Sequence, residues 1–242
     1  MHTRTELHRA DMHSDTLLVL LPPALSSLND FYEQGFVAAV RQRQLPVDLL
    51  LSDATAQHVI DHSVVAALHT EVIQPARAQG YRTVWLAGIS IGAFSALHYA
   101  AQHADQISGL YLLAPYPGTG DVLAEIRAAG GVAAWCQNPP HTQDERAWWQ
   151  WLAQESLKGE WRTPVYFGTG SADRFLSGQQ LLAELLPQDH VRVLPGQHQW
   201  STWQALWTDW LDQGPLAGKA ACTVAPAPSL PRLKVAGGTY NP

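Results

Sequence analysis

Ser90 sits in "WLAGISIGAFSAL", with Gly88 and Gly92 two residues away on either side. A serine hydroxyl is a poor nucleophile until a base removes its proton, and the base must itself be held and charged by a third group. The sequence supplies both downstream. Asp173 follows the apolar run "PVYFGTG", and His198 follows "VRVLPG". Serine, carboxylate and imidazole, each just past an apolar run, are what an acyl-transfer site needs if the runs are parallel strands ending on one edge. Small residues around the serine have a mechanical use, because a sharp strand-to-helix turn must approach its neighbours without a Cβ clash.

Other residues of the same types are poorly placed. His190 and Asp189 stand at the opposite, entering end of their run, and His98 and His103 lie on the helix after the serine, where solvated side chains are expected. "HVIDH" (58–62) puts two histidines at i and i+4. It lacks the glutamate next to the first histidine and has no evident third ligand, so no metal site is assigned and the pair is taken as a solvated helix face.

The elements around these residues alternate apolar runs with helical periodicity, the pattern of βα units around a mainly parallel sheet buried on both faces. Strands are predicted at 16–21, 46–54, 82–88, 107–115, 163–170 and 190–196. Helices are predicted over 27–43, with Ser27 or Asn29 as N-cap, and over 63–80, where Pro75 should kink or end the regular part and Gly80 closes the unit. Further helices follow Ser90 and cover 177–186 and 200–213. Residues 116–162 break the rhythm and hold five of the ten tryptophans, which predicts an inserted helical cap. The organisation is a polar N-terminal segment (1–15), one main domain (16–213), and a Pro/Ala/Gly-rich tail (214–242) read as a mobile extension or an arm lying on the surface.

Composition excludes some partners. The chain has 242 residues, a formal net charge of −6 and scattered lysines and arginines, so it carries no electrostatic footprint for nucleic acid. "TLLVLLPP" is too short for a membrane span or a signal-peptide core, and a cytoplasmic address is expected. Cys136 and Cys222 lack metal or disulfide spacing and read as reduced thiols. "GISIGA" has serine where a dinucleotide fingerprint needs its second glycine.

"GISIG", "GTGSADRF" and "LPGQHQW" together make the chain resemble the α/β-hydrolase superfamily, in its small serine esterase type, over about residues 16–213. The resemblance implies Ser90 as nucleophile, His198 as general base and acid, and Asp173 as the carboxylate behind the imidazole, with no cofactor. It implies an α/β-hydrolase fold with a sheet reduced to about six parallel strands, since the short N-terminus leaves little room for additional leading strands. One oxyanion donor would be the Ile91 N–H. The second should come from the loop "LPPALSS", where Pro22 and Pro23 have no N–H and stand in place of a Gly-rich turn, so Ala24 is the first candidate and Leu25 the next. Leu25, Tyr116 and Trp148 are candidates for substrate contact. The implied activity is hydrolysis of a carboxylic ester of a small or medium hydrophobic substrate through an acyl-enzyme. The alternatives are a thioesterase or acyltransferase, and a binding protein of the same fold without catalysis.

Overall fold

A computed structural model describes residues 1–9, 13–53, 56–136 and 144–217. Cys222 and most of the expected C-terminal tail lie outside the described residues, as does the middle of the expected cap. Seven strands are present: β1 (Thr3–Glu6), β2 (Thr16–Leu21), β3 (Asp48–Ser52), β4 (Thr83–Ile89), β5 (Gly109–Leu113), β6 (Val165–Gly170) and β7 (Val191–Leu194). They form one sheet in the order β1-β3-β2-β4-β5-β6-β7, in which β2 to β7 are parallel and β1 runs antiparallel to β3. The six parallel strands match the six predicted from apolar runs.

β1 corrects the expectation of a strandless N-terminal segment. It is an edge strand with Thr3, Arg4 and Thr5 exposed, so no apolar alternation marks it. Pairing and side-chain contacts hold it instead. Thr3 to Glu6 register against Ser52 to Leu49, Arg4 lies over the Tyr32 ring, and the Tyr32 hydroxyl donates to Glu6 at 2.6 Å.

Helices cover both faces: α1 (Leu28–Glu33), α2 (Phe36–Gln42), α3 (Ala56–Ile60), α4 (Val64–Ala67), α5 (Gln74–Ala78), α6 (Ile91–His103), α7 (Gly120–Ala128), α8 (Val132–Trp135), α9 (Glu145–Lys158), α10 (Leu176–Ala183) and α11 (Trp200–Gln213). The predicted helix over 27–43 is two helices. Ser27 caps the first through a capping box with Asp30, and Gly35, at φ +74°, turns the chain before the second. The Pro75 expectation has a specific outcome: α4 and α5 are joined by a π-helical stretch, Leu68–Ile73, in which the Gln74 N–H donates to the His69 carbonyl five residues back. Proline lacks the N–H that would extend the regular ladder, and the wider turn absorbs the fault.

Side chains alternate between two cores. Leu17, Val19, Val84, Leu86, Leu110 and Leu112 face the layer containing α6 and α9; Leu18, Leu20, Trp85, Ala87, Tyr111 and Leu113 face the layer containing α2 and α11. Nearly every residue of β2, β4 and β5 is buried, which is why these strands read as continuous apolar runs. The expected cap region contributes α7, α8 and α9, and its Trp148 and Trp149 are fully buried in the same core as α6.

Candidate active site

Strand register brings the three chemical residues to one edge. Leu21 pairs with Gly88, Ile89 with Leu113, Leu113 with Gly168 and Gly170 with Leu194, so the carboxyl ends of β2, β4, β5, β6 and β7 are level. Ser90 follows β4, Asp173 follows β6 and His198 follows β7. The Ser90 hydroxyl lies 2.9 Å from His198 Nε2, and His198 Nδ1 lies 2.7 Å from Asp173 Oδ2. A carboxylate at Nδ1 leaves Nε2 as the acceptor for the serine proton. All three side chains are buried, with Ser90 7% exposed and so reachable only from its cleft.

Each of the three is held in place. Ser90 adopts φ 54°, ψ −112°, a conformation that costs a non-glycine residue roughly 1–3 kcal/mol and must be enforced by its surroundings. Here the enforcement is visible: Ser90 N–H donates to the Leu113 carbonyl at 2.9 Å, and its own carbonyl accepts from both Phe94 and Tyr116 at 3.1 Å. The turn is tight enough that a Cβ on Gly88 would overlap the Gly92 carbonyl and the Ala93 nitrogen, and one on Gly92 would overlap the Leu21 and Pro22 carbonyls. Asp173 accepts from the Phe175 N–H at 2.8 Å with Oδ1, leaving Oδ2 to the imidazole. The His198 ring is flanked edge-on by Phe175 and Trp203, both with centroids at 5.0 Å. Neither flanking ring was singled out for the site in the sequence.

Ile91 opens α6, so its N–H has no intrahelical acceptor and projects at the turn along with the positive end of the helix dipole. Across from it, the contact between Gly92 and the Leu21 and Pro22 carbonyls brings the loop after β2 against the elbow. Pro22 and Pro23 are buried, whereas Ala24 and Leu25 are exposed in the turn that follows. Among the described residues no backbone hydrogen bond consumes the Ala24 N–H. Leu25 has φ +61° and a fully exposed side chain.

A cavity of about 560 Å³ adjoins the elbow. Ser90, Asp173 and His198 do not line it; Phe94 and Tyr116 do, and the backbone N–H of each donates to the Ser90 carbonyl. Tyr116, a candidate for substrate contact, lines this cavity. Trp148 does not. It is 0% exposed, stacked on Trp149 at 4.6 Å and edge-on behind Phe94 at 6.2 Å, because the α9 face that carries it packs onto α6. His98 also departs from the expected solvated helix face. It lines the cavity against Phe94, and burial lowers its pKa to about 4, even though the Glu145 and Asp144 carboxylates act in the opposite sense. His103 is stacked on His69 at 4.3 Å and its pKa is lowered, first by burial and then by His69. No group of three or more histidine, cysteine or acidic side chains among the described residues could hold a metal ion. No helix among them is long and apolar enough to cross a membrane.

The family model named Esterase matches residues 52–212. A search of curated protein sequences finds no match. Solved structures resemble the chain over most of its length. A ferulic acid esterase superposes with a TM-score of 0.62 at 14% identity, covering 90% of this chain and 91% of that one. FphF, a fluorophosphonate-binding serine hydrolase of Staphylococcus aureus, gives 0.58 at 10% identity, covering 90% and 92%. Est1E from Butyrivibrio proteoclasticus gives 0.56 at 17% identity, covering 86% and 89%. At these identities the likeness establishes a common fold.

Proposed function

The chain belongs to the Esterase family and is an ester-cleaving serine hydrolase of the α/β-hydrolase fold, and from that premise we propose that Ser90, His198 and Asp173 form its catalytic triad. The observation that carries this reading is the unbroken hydrogen-bonded line from Ser90 Oγ through the imidazole to Asp173 Oδ2. In the proposed mechanism Ser90 Oγ attacks the ester carbonyl while His198 Nε2 takes its proton. The tetrahedral oxyanion is met by the Ile91 and Ala24 N–H groups, with Leu25 the alternative second donor. His198 then protonates the departing alcohol, and Asp173 balances the imidazolium without itself being protonated. A water activated by His198 hydrolyses the acyl-Ser90 ester and restores the enzyme.

Phe94 and Tyr116 place an aromatic wall beside the nucleophile, which supports a small or medium substrate with a hydrophobic part held there. The main domain is taken as 16–213 with its insertion at 116–162, and a cytoplasmic address belongs to the same proposal, supported by a count of only two cysteines, which makes no disulfide framework. Hydrolysis of a chain-length series of p-nitrophenyl esters by the wild type and by Ser90→Ala tests the assignment. Turnover by the wild type with at least a ~10⁴-fold loss in the variant is expected; equal rates would remove Ser90 from the mechanism.

A further inference from the structure

The cavity beside the elbow has an unusual charge balance. Phe94, His98 and Gln102 recur every four residues from Ser90 along α6, so the cavity follows one face of that helix for about 12 Å away from the nucleophile. No lysine or arginine lines it, whereas Asp144 and Glu145 both do. Asp144 is already committed: it caps α9 through the Arg146 N–H at 2.9 Å and pairs with the Arg146 guanidinium at 2.6 Å. Glu145 is different. Its Oε1 accepts the Thr119 N–H at 2.9 Å, and it has no ion pair among the described residues.

That carboxylate is partly buried and stays ionised. Burial pushes its pKa up, but the hydrogen bonds from Thr119 outweigh this and hold it below the usual glutamate range. The His98 imidazole, which lines the same cavity and feels the Glu145 charge, is itself uncharged at neutral pH, since its pKa lies at about 4. Desolvated charges are ordinarily paired. A carboxylate without a cation, in a cavity walled by the Phe94 and Tyr116 rings, has the elements of an ammonium site: one negative charge for Coulombic attraction and aromatic faces for the apolar rim of the cation.

We propose that this cavity is the substrate's cation-accepting subsite, in which Glu145, Phe94 and Tyr116 seat an organic ammonium group carried by the ester. The proposal rests on the Ser90 hydrolase reading and specifies which esters that site prefers. Anionic substrates are disfavoured by the same charge, which sets polyphosphorylated acyl thioesters among the poor substrates.

The test uses three p-nitrophenyl esters of matched acyl length ending in a trimethylammonium, a tert-butyl or a carboxylate group, assayed with the full-length wild type and with Glu145→Gln. The amide can still accept the Thr119 N–H. In the wild type, kcat/KM should run cationic above neutral above anionic, with at least a tenfold step from neutral to cationic. In Glu145→Gln the cationic-to-neutral ratio should fall towards one, and because it is taken within one preparation, any loss of folded protein cancels. Tetramethylammonium should inhibit neutral-ester turnover competitively in the wild type and more weakly in the variant. A wild-type ratio of one or less, or a ratio unmoved by Glu145→Gln, overturns the subsite while leaving the esterase intact. If none of the esters reacts and a fluorophosphonate leaves Ser90 unlabelled, the hydrolase reading fails and this inference falls with it.

Discussion

At the scale of single residues, chemistry depends on a few atoms held in line, and the sharpest consequences follow from removing one of them. His198→Ala should lower kcat on a p-nitrophenyl ester by roughly 10⁴-fold or more with the circular dichroism spectrum unchanged. Asp173→Asn should keep the packing around His198 but favour the wrong imidazole tautomer, at a cost of about 10⁴-fold; near-wild-type kinetics for it would detach Asp173 from the site. A third residue makes a prediction about stability. Burial lowers the His98 pKa to about 4, from 6.5 for an exposed imidazole. Between those values the unfolded chain binds a proton that the folded chain refuses, so stability falls on acidification through this window and is restored above it. Urea titrations at pH 7.5 and 5.0 should show the wild type losing about 2 kcal/mol that His98→Gln does not lose. The triad was legible in the sequence because chain order and position past apolar runs are local facts. The surroundings of His98 and Trp148 were not, because the side of α6 or α9 that a neighbouring helix covers is decided by tertiary packing.

Elements succeed or fail by how closely they pass. The elbow requires α6 to start against β2, and an added methyl at Gly92 would meet backbone carbonyls that cannot swing away. Gly92→Ala should therefore destabilise the fold by about 3 kcal/mol or more and shift Ser90 from its hydrogen-bonding position. Thermal unfolding together with activity per folded molecule reads both effects, and a variant with native Tm and native kcat would show the turn to be looser than described. The parallel strands were readable because burial on both faces turns them into unbroken apolar runs. β1 was hidden by its exposed edge position. The breaks at Gly35 and before Pro75 were only half visible, since both glycine and proline flag an interruption without saying whether the chain turns, as it does at Gly35, or widens its helix, as it does before Pro75.

For the molecule as a whole, the parallel sheet separates the chemistry from much of the anchoring. Ser90, Asp173 and His198 gather at the carboxyl edge, while the opposite end is organised by Asp48, which is fully buried at the start of β3. Its carboxylate accepts from the His8 N–H at 2.6 Å, the Ser14 N–H at 3.0 Å and the Tyr81 hydroxyl at 2.8 Å, tying the N-terminal segment to the main body. Asp48→Ala should cost about 2–4 kcal/mol through the donors it strands, with kcat of the remaining folded enzyme close to wild type. A kcat loss matching that of a triad variant would show the two ends to be coupled. The central claim, that Ser90 is the nucleophile, is tested most directly by reacting the protein with a fluorophosphonate probe and locating the adduct by mass spectrometry. A single adduct on Ser90, absent from Ser90→Ala and strongly slowed in His198→Ala, is the predicted result. An adduct on another serine, or labelling that persists in Ser90→Ala, would contradict it.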